Sequence, residues 1–211
     1  MSIIEQLTAV PGIGISRAKQ LVAAGLKSVG DVLFEPYISM VPAEAVASVK
    51  YPAEQINWDT ANDLAEIIVR HVNGTVAVGS VRRRRPFCKD VDVLCSMGLS
   101  EVLSILQNTS LKIIAILANG ARRTCLLCKW RGKYVRVDLF YAAPAEYAFA
   151  LVHFTGSYKH NIALRQLAKE KGWKLNQYGL YDAAGNLVQC ATERAVFKAV
   201  GATWKPPAQR L

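Results

Sequence analysis

The segment Asp90-Val-Asp-Val-Leu constrains the fold most, because acidic and β-branched residues alternate along it. A period of two predicts a strand over residues 91–95, with the valines facing a core and Asp90 and Asp92 on the opposite face. Residues 134–140 alternate in the same way and place Asp138 beside Arg136 and Phe140 on one face. Three carboxylates that converge on one spot repel each other unless a cation lies between them.

That carboxylate set predicts a site for two Mg²⁺ ions in phosphoryl transfer, where the metals hold the attacking and leaving oxygens. Gly79-Ser80 follows a predicted strand over 75–78, and a turn there can bring backbone amides and a hydroxyl against phosphate oxygens. Arg82 and Arg83 add positive charge. Taken alone, an Asp-x-Asp pair is more often a solvated strand edge, and Gly-Ser is usually only a turn.

The charge of the chain indicates a polyanionic partner. Its 211 residues carry a formal net charge of +10, and clustered Lys and Arg release counterions when they neutralise phosphates. An anionic membrane surface is the competing partner. The 52% hydrophobic content excludes a disordered chain, and no long apolar run or leader is visible. We therefore expect a soluble, unprocessed intracellular protein that does not enter a membrane.

The five cysteines are an odd number scattered through apolar runs, which favours buried free thiols over a disulfide framework. Cys125 and Cys128 have the spacing of half a zinc site, but no second pair lies at the distance of a zinc finger. A bridge between Cys88 and Cys95 is the alternative in an oxidising compartment.

Residues 1–35 read as short helices around Val10-Pro-Gly-Ile-Gly14, with Ser28 and Asp31 forming a capping box for a further short helix. This is the helix-hairpin-helix pattern, in which Gly12 and Gly14 expose amides to a phosphate of the DNA backbone. Ser16 and Arg17, at the start of the second helix, are expected to contribute to the same contact. The alternative is a plain helical turn with glycine as a spacer.

The remaining chain predicts an α+β fold in three parts: residues 1–58, 59–143 and 144–211. The expected elements are helices over 43–49, 100–107, 146–152 and 158–171, a helix capped by Thr60 with Asp63, strands over 111–117 and 124–130, a hairpin through Asp182-Ala-Ala-Gly185, and a last helix from Thr192 to Gly201.

The motifs occur in an order that resembles the family X DNA polymerases, which are polymerase β-like nucleotidyltransferases. The resemblance covers nearly the whole chain and is closest to the short viral members, which lack an N-terminal lyase domain. Besides the metal motif it rests on Phe154-Thr155-Gly156-Ser157, Asn161, Arg165, Lys169-Glu170-Lys171-Gly172, Asn176-Gln177-Tyr178 and Trp204-Lys205-Pro206-Pro207 with Arg210.

The resemblance implies an N-terminal helix-hairpin-helix module, a catalytic palm with a mixed β-sheet, and a small C-terminal α/β subdomain that selects the nucleotide. It also implies a DNA-directed DNA polymerase that fills short gaps in base excision repair, with dNTPs and gapped or nicked duplex DNA as ligands. Two Mg²⁺ ions per site are expected, with Mn²⁺ able to substitute. The resemblance further implies a monomer without lyase activity in the cytoplasm or nucleus of a host cell. A DNA ligase would act on the DNA after it.

The same resemblance assigns roles to residues. Asp90 and Asp92 would ligate both metals, Asp138 only the catalytic one, and Arg136 would orient Asp138. The nucleotide-binding set comprises Gly79, Ser80, Arg83, His153, Phe154, Gly156 and Asn161, with Phe154 to Gly156 in a non-helical turn against the sugar. Arg165 and Tyr178 join the hairpin residues in binding DNA. Backbone carbonyls of Thr8, Val10 and Ile13 would hold K⁺ or Na⁺.

Two other functions stay open. A template-independent terminal transferase would share the site, although the long loop which that activity uses has no room in this sequence. A DNA-binding protein with an inactive site is the second alternative, and the intact aspartate triad argues against it. His153 stands where repair members have Tyr, and Trp58 stands near a position where an Arg that clasps the triphosphate is expected.

Overall fold

The computed structural model describes residues 1–210. Its α-helices are α1 (Ile3–Thr8), α2 (Ile15–Ala23), α3 (Ala43–Lys50), α4 (Trp58–His71), α5 (Gly79–Arg82), α6 (Leu99–Gln107), α7 (Tyr147–Thr155), α8 (Tyr158–Glu170) and α9 (Glu193–Val200). The strands are β1 (Ile56–Asn57), β2 (Thr75–Ala77), β3 (Phe87–Cys88), β4 (Asp90–Cys95), β5 (Lys112–Asn119), β6 (Arg123–Trp130), β7 (Lys133–Tyr141), β8 (Lys174–Leu175) and β9 (Leu180–Tyr181). Short 3₁₀ helices span Val29–Leu33, Ile38–Met40 and Pro207–Gln209.

A five-stranded mixed sheet in the order β2-β4-β7-β6-β5 forms the centre of the fold. β4 and β7 run parallel, and the other neighbouring pairs are antiparallel. The apolar positions of β4 and β7 pack with α4 and α6 in a buried core that includes Val91, Val93 and Val137. The expected α+β class with a mixed sheet is confirmed.

The opposite face of this sheet is covered at two ends. Ala47 and Tyr51, from and after α3, pack against Leu117 and Leu127 of β5 and β6. At the other end, Leu94 of β4 packs in a cluster with residues of α7. The carboxylate face of β4 and β7 therefore lies between the N-terminal helices and α7.

The chain on either side of the sheet has cores of its own. Residues of α1, α2, α3 and the first 3₁₀ helix bury a cluster that includes Leu7, Leu21 and Val32. The helices α7, α8 and α9 bury another around Phe149 and Phe197. Within each of these segments the helices bury these residues against one another.

Two local expectations were wrong. The helix α4 begins at Trp58, because the Asn57 side chain accepts the Thr60 N–H at 3.0 Å and caps the helix three residues earlier than Thr60 would. The helix α7 continues through Phe154 and Thr155 and ends at Gly156, whose φ of 66° ends the helix, so these residues are not in an open turn. The segment from Gly79, expected to be a turn, forms the short helix α5, and the two-residue strands β1 and β3 were not predicted. The longer helices and strands lie close to their predicted positions.

All five cysteines are buried and free, as the sequence indicated. No helix within residues 1–210 combines the length and apolar character needed to cross a membrane.

Candidate active site

The three aspartates lie on adjacent parallel strands. Asp92 of β4 is paired with Asp138 of β7, and Asp90 is paired with Arg136. The alternation that buries the valines turns these side chains to the other face. The Asp138 side chain is only 5% exposed, whereas that of Asp90 is 26% exposed. The structure thus brings together the carboxylates that the sequence singled out.

Arginines hold two of the three carboxylates. Arg136 Nη2 donates to Asp90 Oδ2 at 2.8 Å, while its Nε lies 3.8 Å from Asp138 Oδ2. Arg136, which was expected to orient Asp138, therefore forms its hydrogen bond with Asp90 and contacts Asp138 only as an ion pair. Asp138 Oδ1 instead accepts from Nε and Nη2 of Arg123, at 3.1 and 2.9 Å.

Sequence reasoning missed Arg123. In the β6–β7 register Cys125 is opposite Asp138, so Arg123 lies two residues along β6 on the same face. The alternation of β6 would have placed the guanidinium on the aspartate face once that register was known. Without the register, Arg123 looks like one of many basic residues in a basic chain.

Within residues 1–210, no arginine donates a hydrogen bond to the Asp92 side chain. Burial, followed by the charges of Asp90 and Asp138, raises the pKa of Asp92 to about 7. Arg83 and Arg136 oppose this shift but do not cancel it. The site therefore contains acidic charge that the surrounding protein does not neutralise.

The donor set suits a hard divalent cation. Carboxylate oxygens on neighbouring strands are the ligands that Mg²⁺ and Mn²⁺ prefer. Within residues 1–210, no three acidic, imidazole or thiol groups are arranged to hold one ion as they stand. Because Arg123 and Arg136 hold the carboxylates of Asp138 and Asp90, the aspartates are directed to guanidinium groups instead of to a common centre.

Gly79 fits tightly against the aspartates. It has φ of +56°, and a Cβ at this position would overlap the carboxylate of Asp92. The preceding Val78 N–H donates to the Asp92 backbone carbonyl at 2.8 Å, which fixes this loop on β4. Only glycine allows this approach without displacing Asp92.

The residues that follow Gly79 offer unused polar atoms. Ser80 Oγ and Arg83 Nε are buried and have no hydrogen-bond partner among residues 1–210. A buried polar atom without a partner costs free energy, so such atoms commonly mark the place of a ligand or water. Another nitrogen of Arg83 donates to the Thr155 carbonyl, which joins this loop to the end of α7.

Aromatic rings connect the aspartate face to α7. The Phe154 ring stacks on Phe140 of β7, with centroids 4.1 Å apart and an angle of 18° between the planes. Phe140 lies two residues after Asp138 and on the same face. Phe154 is thereby held beside the acidic cluster on a rigid support. The peptide bond between Gly156 and Ser157, just after α7, is cis.

His153, Asn161 and Arg165 form one cluster. Asn161 Nδ2 donates to the His153 carbonyl at 2.7 Å, and Arg165 Nη2 lies 3.0 Å from His153 Nδ1. Burial and then the Arg165 charge lower the pKa of His153, which favours a neutral imidazole that accepts from Arg165. Residues expected to bind nucleotide and DNA thus contact one another.

A buried ion network was also missed. Glu193 accepts from Arg82 Nη1 and Nη2 at 2.9 and 2.7 Å and from Arg210 Nη1 at 2.8 Å. Although burial would raise the pKa of Glu193, the hydrogen bonds from both arginines hold it below its ordinary value. Arg82 also donates to Thr155 Oγ1 at 2.5 Å, so the network fixes the end of α7 against α5. The partners are too far apart in sequence for any local pattern to pair them.

The N-terminal hairpin has the conformation that its glycines suggested. Gly12 has φ of +83°, and Gly14 is the N-cap of α2. A Cβ on Gly12 would meet Pro42 and Glu44 at 2.9 Å, whereas a Cβ on Gly14 would meet nothing within 4 Å. Arg17 Nη1 donates to the Gly12 carbonyl at 2.6 Å.

The other hairpin residues lie close by, at the end of α1 and the start of α2. Ser16 is exposed. The Val10 carbonyl accepts the Ile13 N–H at 3.1 Å, and Thr8 Oγ1 donates to the Glu5 carbonyl at 3.0 Å. Thr8 thus ends α1, and the hydrogen bond from Ile13 to Val10 closes a tight turn between α1 and α2.

Two further aromatic residues differ in exposure. Tyr178 is 41% exposed, and the Arg122 guanidinium lies 5.5 Å from its ring centroid. Trp58 instead donates from its indole nitrogen to the Val81 carbonyl at 2.8 Å and so binds the backbone of α5. At the position where a triphosphate-clasping arginine was expected, this chain therefore uses a side chain that holds the backbone of the loop.

Comparison with known proteins agrees with this geometry. The family profile described as DNA polymerase beta thumb matches residues 150–211. Repair DNA polymerase X of African swine fever virus (isolate Tick/Malawi/Lil 20-1/1983) is 32% identical over 77% of this chain and 94% of its own. The same polymerase from isolate Pig/Kenya/KEN-50/1950 is 35% identical over 74% of this chain and 91% of its own.

Rat DNA polymerase lambda is 32% identical over 64% of this chain and 28% of its own length. Since both viral relatives are more than 30% identical and are matched over more than nine-tenths of their own length, this chain belongs to the family X repair DNA polymerases. These are DNA-directed DNA polymerases and generally use divalent metals.

Proposed function

We propose that this protein fills short gaps in duplex DNA by adding deoxynucleotides to a primer 3′-hydroxyl. The observation that carries the proposal is the in-register pairing of Asp92 with Asp138 beside the Gly79-Ser80 loop. This puts a carboxylate face directly next to unpaired polar atoms suited to a phosphate. The relatives named repair DNA polymerase X support the same function.

Divalent cations, two per site, would stabilise the charge that develops on the transferred phosphoryl group. Asp90 and Asp92 would hold both ions, and Asp138 would hold one; Mg²⁺ is the expected ion, with Mn²⁺ able to substitute. Oδ1 of Asp138 accepts two N–H groups of Arg123 in this structure and would take the ion in their place, while Oδ2 would accept the proton of the primer hydroxyl.

The incoming triphosphate would lie against Gly79, Ser80 and Arg83. Ser80 Oγ and Arg83 Nε, which are buried without partners, would bond its oxygens. The nucleoside would extend over Phe154 and Gly156, where the flat ring stacked on Phe140 leaves little room for a 2′-hydroxyl. The nearby His153 and Asn161 would complete the nucleotide contacts.

The DNA would be held by the N-terminal hairpin, in a chain whose formal net charge is +10. Gly14 is open to solvent, so its backbone can approach a phosphate, with Gly12, Ser16 and Arg17 around it. K⁺ or Na⁺ bound by the carbonyls of the tight turn would strengthen that contact. Arg165 and Tyr178 would contact the template side.

On this proposal residues 1–58 are the DNA-binding module, 59–143 the catalytic palm and 144–211 the nucleotide-selecting part. The protein would act as a monomer in a host cell and would leave a nick for a DNA ligase to seal.

Primer extension on gapped, open-template and single-stranded DNA tests the proposal. Wild type should extend primers on gapped duplex, and Asp138→Ala should abolish extension while DNA affinity stays within a few-fold. Asp63→Ala is the matched control, because Asp63 pairs with Arg131 on the surface. Robust extension by Asp138→Ala would refute the assignment, and template-free extension of single strands would indicate a terminal transferase instead.

A further inference from the structure

Arg123 makes the most direct contact to Asp138. Its Nε and Nη2 both donate to one oxygen, Asp138 Oδ1, at 3.1 and 2.9 Å. A carboxylate oxygen has two lone pairs, and the two N–H groups use both of them. Asp138 Oδ1 therefore has no lone pair left for a metal ion while Arg123 stays in place.

Electrostatics leads to the same conclusion. A divalent cation bound at Oδ1 would lie within a few ångströms of the guanidinium, and like charges at that distance repel. Arg123 and a metal ion are thus alternative partners of the same oxygen.

The two arginines of the cluster differ in their freedom to move. Arg136 is 35% exposed and bonds to Asp90, whereas the Arg123 side chain is 53% exposed at the start of β6. Apart from Asp138, its guanidinium lies 5.9 Å from the Phe140 ring, and it can leave without uncovering a core. A half-exposed guanidinium that leaves its partner returns to water, so the change costs little in desolvation.

We propose that Arg123 is a positioning residue that holds the Asp138 carboxylate in place in the metal-free protein and is displaced when a divalent cation binds at Oδ1 of Asp138. The inference rests on the proposed metal site and adds a specific competitor to it. It predicts that the protein binds metal more weakly than its three carboxylates alone would.

Titration of the DNA-free protein with Mn²⁺, followed by electron paramagnetic resonance of the free ion, tests this without measuring activity. Arg123→Gln should bind Mn²⁺ about three- to tenfold more tightly, because both a competing donor pair and a positive charge are removed. Arg122→Gln is the matched control: Arg122 is adjacent and similarly exposed but pairs with Glu146, so its affinity should equal that of wild type. Arg123→Lys should lie between Arg123→Gln and wild type, because it keeps the charge and loses the two-nitrogen contact.

Asp138→Asn separates the two possible failures. If Asp138→Asn weakens Mn²⁺ binding while Arg123→Gln leaves it unchanged or weaker, the competition is refuted and the metal site stands. If Asp138→Asn binds Mn²⁺ as wild type does, the metal assignment fails and the inference fails with it. Circular dichroism and thermal melting of each variant establish that the fold is kept.

Discussion

Replacing Asp92 with asparagine should stabilise the metal-free protein at neutral pH. The pKa of Asp92 is raised to about 7, first by burial and then by Asp90 and Asp138, so ionising it in the folded chain is costly. In the unfolded chain the carboxyl returns to its ordinary value of 3.8. Asparagine has nearly the same shape and carries no charge to bury.

The sign of the pH dependence follows from linkage. Because the folded pKa lies above the unfolded one, the destabilising effect of Asp92 is absent below about pH 4, grows as the pH rises towards 7 and is complete above it. A difference of about three between the folded and unfolded pKa values corresponds to roughly 4 kcal/mol of unfolding free energy, at about 1.36 kcal/mol for each unit of pKa. Since the Asp92 side chain is only partly buried, solvent screens part of this effect, and we expect about 2 kcal/mol at pH 8.

Urea denaturation in the presence of EDTA, at pH 5 and pH 8, measures this effect. Asp92→Asn should raise the free energy of unfolding more at pH 8 than at pH 5. Asp138→Asn is the matched contrast, because Asp138 is already paired with Arg123 and should gain nothing. If Asp92→Asn is no more stable than wild type at pH 8, the uncompensated charge does not exist and the reasoning fails.

Three further outcomes are expected. Gly14→Ala should cost at most about 1 kcal/mol of stability, since a Cβ there meets nothing within 4 Å and only the N-cap of α2 is weakened. It should nevertheless weaken DNA binding and make the slope of log K against log salt shallower by about 0.9 per lost phosphate contact; an unchanged slope would make the hairpin purely structural. Glu193→Gln should lower the free energy of unfolding by about 3 kcal/mol and weaken dNTP binding, because Arg82 and Arg210 then lack their buried counter-charge; dNTP affinity that survives the destabilisation would separate the network from the site. The pKa of His153 is lowered in the free protein and should rise beside a bound triphosphate, so dNTP affinity should fall as the pH rises from below the pKa of the free protein to above that of the complex. Parallel curves of dNTP affinity against pH for wild type and His153→Phe would exclude a charged contact.

Much of the site can be predicted from the sequence, because the alternation of polar and apolar residues in a strand depends only on a short segment of chain. The alternation around Asp92 and Asp138 requires only that each segment be extended, and both segments are strands. The helix ends were harder to predict where two caps competed. Asn57 and Thr60 are both good N-caps, and packing of Trp58 on the Val81 carbonyl favours the earlier one.

The long-range partners could not be predicted, because they depend on strand register and on how helices meet. Arg123 reaches Asp138 only through the β6–β7 pairing. Glu193 is 111 residues from Arg82, and nothing local to either residue indicates the other. Both contacts involve arginines, whose long side chains can reach several acidic groups, so charge alone does not identify the partner.

The outer strands of the sheet bear on how the protein behaves at high concentration. A long, straight edge strand would invite a second copy to pair with it. Here β2 is only three residues long, and β5 shifts register against β6 between Ile113 and Ala115 and again between Ile116 and Ala118. Such irregularities bend a strand and interrupt its row of hydrogen-bonding groups. The edges of the sheet therefore offer a neighbouring molecule few backbone groups to pair with. This favours dispersed molecules over aggregates, although 52% of the residues are hydrophobic.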